Sequence, residues 1–131
     1  AVGTSVTLTP GLTDSDTSGF PMEEITAMVS GGPRLVENGA ICTTLEPGFQ
    51  EARFTSAVTS RTALGKLADG KLVIASTGSA SIQQLRELML QLGCVEAVNL
   101  DGGGSTALAY QGKLIRSPGR ELTTTLQIFT H

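Results

Sequence analysis

A chain of 131 residues has room for one ordinary domain with a real core. With 40% hydrophobic and 16% charged residues it falls among globular sequences and outside the composition of disordered tails. A formal net charge of -3, with Lys and Arg scattered rather than striped, excludes an electrostatic case for nucleic acid or an anionic membrane.

In chain order, residues 4–8 alternate polar and apolar side chains and predict a short strand, followed by a turn-rich stretch to residue 24. A second strand is predicted over 25–30, ended by Gly31, Gly32 and Pro33, and a third over 34–37. Asn38-Gly39 between apolar segments signals a hairpin, so Leu35 and Val36 should pair with Ile41. Residues 43–58 read as irregular. Residues 61–65 and 71–76 flank Asp69-Gly70 and predict a second hairpin. Over 81–92, Ile82, Leu85, Leu88, Met89 and Leu92 recur at helical spacing and should face a core, with Glu87 off that face in solvent. Ser81 and Gln84 are spaced for a capping box, and Gly93 is placed to end the helix. A buried strand over 95–100, a hairpin of 106–110 with 113–115, and a closing strand over 122–129 complete the chain. This order predicts α+β: a mostly antiparallel or mixed sheet with one main amphipathic helix packed on it, residues 1–131 forming a single domain. Tyr110 and the four phenylalanines read as core or sheet surface, with no stacking platform.

No apolar run approaches the roughly 20 residues of a membrane span. The chain starts at Ala1 rather than Met, which suggests a processed or trimmed product. Cys42 and Cys94 are too few for a disulfide framework and too far apart for a metal knuckle. Cys94 is expected to be a buried free thiol, or to pair with Cys42 if the protein is exported. The only histidine is His131, at the terminus. Ser-His-Asp, Cys-His and zinc chemistry are therefore not expected, and no metal or cofactor is implied. Carboxylates, arginines, hydroxyls, amides and backbone N–H groups remain to do any chemistry.

These converge at Asn99-Leu100-Asp101-Gly102-Gly103-Gly104-Ser105. Strand alternation puts Asn99 and Asp101 on one side. The bare backbone of Gly102, Gly103 and Gly104 lets a ligand approach N–H groups that can converge on an anion. Asp101 is a candidate acid, base or nucleophile, or else caps the glycine turn. Asn99 either orients a ligand hydroxyl or locks the loop. Ser105 offers a hydroxyl for binding rather than a nucleophile, because no base is at hand to activate it.

The segments Arg61-Thr62-Ala63-Leu64-Gly65 and Asn99-Leu100-Asp101-Gly102-Gly103-Gly104-Ser105, separated by a hairpin and an amphipathic helix, resemble the phosphodiester glycosidase family. Gly31-Gly32-Pro33-Arg34-Leu35-Val36-Glu37-Asn38-Gly39 and Arg120 add to the likeness, which covers residues 25–131. The resemblance implies hydrolysis of a sugar-1-phosphodiester of the N-acetylglucosamine kind, in bacterial exopolysaccharide or cell-surface glycan metabolism, by an extracytoplasmic or secreted protein. It implies Asp101, Arg61 and Asn99 as catalytic residues, with Arg61 gripping phosphate. It further implies Thr62, Gly102, Gly103, Gly104, Ser105 and Arg120 as substrate contacts. The partner expected is a carbohydrate or sugar-phosphodiester substrate, with association to an amino-terminal segment of the family domain or to a second copy. Two positions depart from the family pattern: Thr77 and Gln84 stand where carboxylates are usual. They favour the alternatives, a non-catalytic surface-glycan-binding module or an inactive fragment of an active parent.

Overall fold

The structure, a computed structural model, describes residues 3–5, 7 and 25–129. Of the strand expected over 4–8, residues 4, 5 and 7 are described and are in no strand, while 6 and 8, with the turn-rich stretch to residue 24, lie outside the described residues. The chain builds β1 (Arg34–Glu37), β2 (Ala40–Ile41), a single helical turn α1 (Ala52–Thr55), β3 (Thr59–Leu67), β4 (Leu72–Ala80), α2 (Ile82–Gln91), β5 (Cys94–Asn99), β6 (Leu108–Tyr110) and β7 (Lys113–Arg116). The first five strands form one sheet in the order β2-β1-β5-β3-β4, every described pair antiparallel. β6 and β7 make a separate two-stranded ribbon. The α+β expectation is met.

The two hairpins of the main sheet close where turn chemistry allows. Asn38 and Gly39 take positive φ, and Val36 pairs with Ile41 as expected. Gly70 has φ +86, and β3 and β4 extend further along one another than the sequence pattern indicated. The α2 cap forms in full: the Gln84 N–H donates to Ser81 Oγ at 3.1 Å, and the Ser81 N–H donates to Gln84 Oε1 at 2.9 Å. At the other end Gly93 takes φ +82.

The helix lays Ile82, Leu85 and Met89 against Leu35, Val36, Ala63, Ala75, Cys94 and Ala97 of the sheet. The approach is close at Gly65, where a Cβ would lie 2.6 Å from Cys94 Sγ and 2.7 Å from Met89 Cε. Leu88 is partly buried against this core and Glu87 is exposed. Leu92 does not join them: the helix ends at Gln91, and Leu92, as its C-cap, is 46% exposed. Leu85 is fully buried, so Leu85→Ala should cost about 2–5 kcal/mol. Urea unfolding would show this as a lower midpoint at unchanged slope; a loss below about 0.5 kcal/mol would mean the helix face is not core.

Two expected strands do not form. Residues 25–30 and 122–129 carry no ladder. Met28, Val29, Leu126, Ile128 and Phe129 are all exposed, and neither segment docks on an edge of the sheet among the described residues. The thiols of Cys42 and Cys94 are both free, and Cys94 is buried. Among the described residues no helix is long and apolar enough to cross a membrane.

Candidate active site

The glycine loop is set by its neighbours on β3. The Leu100 N–H donates to the Thr62 carbonyl at 2.8 Å, carrying the chain past the end of β5 alongside β3. Gly102 then crosses β3 so closely that a Cβ would stand 2.6 Å from the Ser60 carbonyl oxygen. Gly103 has φ +60 and opens a 3-10 turn over Gly103–Ser105. That turn intervenes where a strand was expected to follow directly. The contact at Gly102 is with backbone, which cannot swing aside. Gly102→Ala should therefore cost about 1–3 kcal/mol and displace Asp101. A crystal structure or melting curve unchanged by this substitution would contradict it.

The loop borders a cleft of about 600 Å³, within the roughly 300–1,000 Å³ usual for small-molecule sites. Arg61, Asn99, Asp101, Gly102 and Gly103 lie along one side, with Ser30, Gly31 and Gly32 beside them. Phe49, Arg53 and Phe54 complete the lining, with Phe49 against Gly32. A second hollow of about 380 Å³, lined by Leu64, Lys66, Leu72, Glu96 and Val98 among others, holds none of the candidate residues.

Asn99 is 3% exposed. Its Nδ2 donates to the Gly32 carbonyl at 2.8 Å, which identifies Oδ1 as the other amide atom. Oδ1 is buried without a hydrogen-bond partner among the described residues. Gly32 is further tied by its own N–H, which donates to the Asn99 carbonyl at 2.7 Å. Asn99 thus locks the neighbouring loop and still holds one unspent acceptor.

Asp101 projects largely into solvent, with its side chain 74% exposed. Oδ1 accepts the Gly102 N–H at 2.9 Å, and Oδ2 accepts Arg120 Nη2 at 3.1 Å. Arg120 also donates to Ser105 Oγ, from Nε at 2.8 Å and from Nη2. The Ser105 hydroxyl, the Gly102 N–H and Arg120 together hold the Asp101 carboxyl below the usual carboxylate range, against the opposing effect of partial burial. At neutral pH the group is an ionised carboxylate that accepts bonds from Gly102 and Arg120. Gly104 accepts the Gly119 N–H at 2.8 Å, which seats the Arg120 segment beside the loop. Gly104, Ser105 and Arg120 stand next to Asp101 without lining the cleft. Thr62 does not line it either; adjacent strand residues face opposite ways, and Thr62 follows Arg61.

Arg61 is 3% exposed, and burial lowers its pKa. Its Nε donates to the Ala80 carbonyl at 3.2 Å, and its Nη2 to the carbonyls of Arg53 at 2.7 Å and Ala57 at 2.8 Å. The guanidinium borders the cleft while stapling α1 and the end of β4 to β3.

The aromatic part of the lining was not legible in the sequence. Phe49 and Phe54 pack edge to face, with centroids 5.0 Å apart and planes at 80°. A Cβ on Gly32 would run into the Phe49 ring. Phe49 and Phe54, expected only as core or sheet surface, thus stand half-buried in the lining of the cleft. Phe-x-x-x-x-Phe around an arginine, in a stretch without periodicity, was the only available signal. Among the described residues no three His, Cys, Asp or Glu side chains converge as metal ligands.

Comparisons with known proteins give the family and the fold. The family model described as phosphodiester glycosidase matches residues 3–129. Human N-acetylglucosamine-1-phosphodiester alpha-N-acetylglucosaminidase is 28% identical over 106 residues, covering 70% of this chain and 21% of that protein. The chain spans about a fifth of the length of the curated relatives first matched. A crystal structure of a hypothetical protein from Synechocystis superposes with a TM-score of 0.58 at 34% identity, over 67% of this chain and 18% of the other. The zebrafish N-acetylglucosamine-1-phosphodiester alpha-N-acetylglucosaminidase catalytic domain, auto-inhibited by its pro-peptide, gives a TM-score of 0.59 over 80% of this chain and 37% of that one. At 23% identity that likeness speaks to the fold alone.

Proposed function

This chain belongs to the phosphodiester glycosidase family, and on that premise we propose that its cleft hydrolyses a sugar-1-phosphodiester of the N-acetylglucosamine type. The observation that carries the reading is the meeting of an ionised Asp101, Asn99 and bare Gly102 and Gly103 backbone in one cleft.

The bond broken joins the anomeric carbon to a phosphate oxygen. Asp101, held charged, serves that carbon, as a base on the attacking water or as a nucleophile. Asn99 holds the Gly32 loop that borders the sugar's place, and the Phe49–Phe54 wall takes the sugar's apolar face. Most glycosidases place a second carboxylate across the bond as an acid. Among the described residues lining this cleft, Asp101 is the only carboxylate. A departing phosphate monoester is a weak base and needs little protonation, so electrostatic stabilisation by arginine and backbone donors can replace the acid. The natural setting that suits the reading is extracytoplasmic glycan or exopolysaccharide processing.

The test is to incubate the chain with the methyl phosphodiester of N-acetylglucosamine and follow free sugar and methyl phosphate by nuclear magnetic resonance. Equimolar release of both is expected. Saturable binding without release, from this chain and from any longer form, would leave the surface-glycan-binding module, which the single carboxylate favours. Release by a longer form alone would make this chain its inactive portion.

A further inference from the structure

Three arginines stand near the cleft, and they are not equivalent. The fork of Arg61 is spent: turning it toward a ligand would strip hydrogen bonds from the carbonyls of Arg53, Ala57 and Ala80. Arg120 is engaged with Asp101 and Ser105 and lies outside the cleft lining. Arg53 lines the cleft, and its side chain is 66% exposed. A guanidinium carries five N–H donors, and the described side-chain bond of Arg53 uses Nη2, to Glu51 Oε1 at 2.8 Å.

We propose that Arg53 is the cation that meets the substrate's phosphate, and that Glu51 is the counter-ion the phosphate displaces. The inference deepens the sugar-phosphodiester reading and rests on it. Two features place Arg53 for this. Its guanidinium carbon sits 5.0 Å from the centroid of the Phe54 ring, which gives the cation a platform at the cleft wall. Its carbonyl is held by Arg61 Nη2 at 2.7 Å, so the conspicuous buried arginine fixes the backbone from which the exposed one reaches. The Glu51 pair is exposed on both sides, and such pairs are weak and screened by salt. A phosphodiester monoanion can offer two oxygens to the planar fork and outcompete one carboxylate oxygen. Arg61 becomes a positioning residue for this contact.

Calorimetric titration with two probes tests the proposal. One is the methyl ester of the C-glycosyl phosphonate of N-acetylglucosamine, an uncleavable monoanion. The other is methyl α-N-acetylglucosaminide, which is neutral. Arg53→Ala should weaken the anionic probe roughly tenfold or more and leave the neutral one within about twofold. Glu51→Gln should tighten the anionic probe alone, by about two- to fivefold. Added salt should narrow the gap between wild type and Arg53→Ala. The Arg53 side chain is no part of the Arg61 staple, so the melting temperature should hold. Equal losses for both probes, or none for either, would overturn the proposal while leaving the sugar site intact. Wild-type protein that binds the neutral probe as tightly as the anionic one would do the same. Binding of neither probe would bring down the sugar-phosphodiester reading and this contact with it.

Discussion

Turnover of an N-acetylglucosamine-1-phosphodiester is expected to fall by roughly 10²–10⁴-fold in Asp101→Asn, with KM little changed. The amide keeps the shape and accepts hydrogen bonds through one atom, but it can neither take a proton nor attack the anomeric carbon. The pH profile carries a second readout. The Ser105 hydroxyl, the Gly102 N–H and Arg120 depress the carboxyl's pKa. If Asp101 acts ionised, kcat/KM should hold as pH falls toward the ordinary Asp value of about 3.9 and be lost only as pH passes below it. Ser105→Ala removes the largest of those stabilising contacts, so its acid limb should move to higher pH. An acid limb near neutrality in the wild-type enzyme would sink the assignment of Asp101 as base or nucleophile.

Arg61→Ala should destabilise the fold by about 3 kcal/mol or more, since a hydrogen bond to a charged group is worth roughly 1.5–3 kcal/mol and three carbonyls lose theirs. The three contributions will not simply add, because they share one guanidinium. Arg61→Lys should recover only part of the loss, for a single ammonium cannot reach carbonyls on two sides in one plane. Urea unfolding followed by circular dichroism reads the effect. Full stability with selective loss of anion binding would return Arg61 to direct phosphate contact and remove Arg53 from that role.

The parts of the fold that were legible in the sequence are those whose signals are local. The helix announced itself by the spacing of Ile82, Leu85 and Met89 and by a capping box that forms atom for atom. The turns at Asn38-Gly39 and Asp69-Gly70 set the hairpins because positive φ is required there. Residues 25–30 and 122–129 have strand composition too, but a strand is a relation between two segments. Composition states only that a partner would suit, and no edge receives these two. In the cleft, Asn99, Asp101, Gly102 and Gly103 could be named beforehand because they stand together in one short motif. What Arg61 does was hidden, since its partners are three main-chain carbonyls, and every residue carries one. The Phe49, Arg53 and Phe54 wall was hidden for a related reason. A single helical turn in an irregular stretch has no period to read.

The strand order β2-β1-β5-β3-β4 has a consequence for how the molecule is made. β1 pairs with β2, and β3 with β4, through short local hairpins, but neither hairpin touches the other across the sheet. β5, the last of the five to leave a ribosome, fills the slot between them and is immediately followed by the glycine loop. Without β5 the inner edges of β1 and β3 lack the neighbour they have in the sheet, and an unpaired edge is the kind of backbone that recruits stray strands. The step that seals those edges also delivers Asn99 and Asp101 to the cleft. Quality control of this chain and assembly of its site are therefore one event, and a product stalled before β5 should be recognised by its tendency to aggregate.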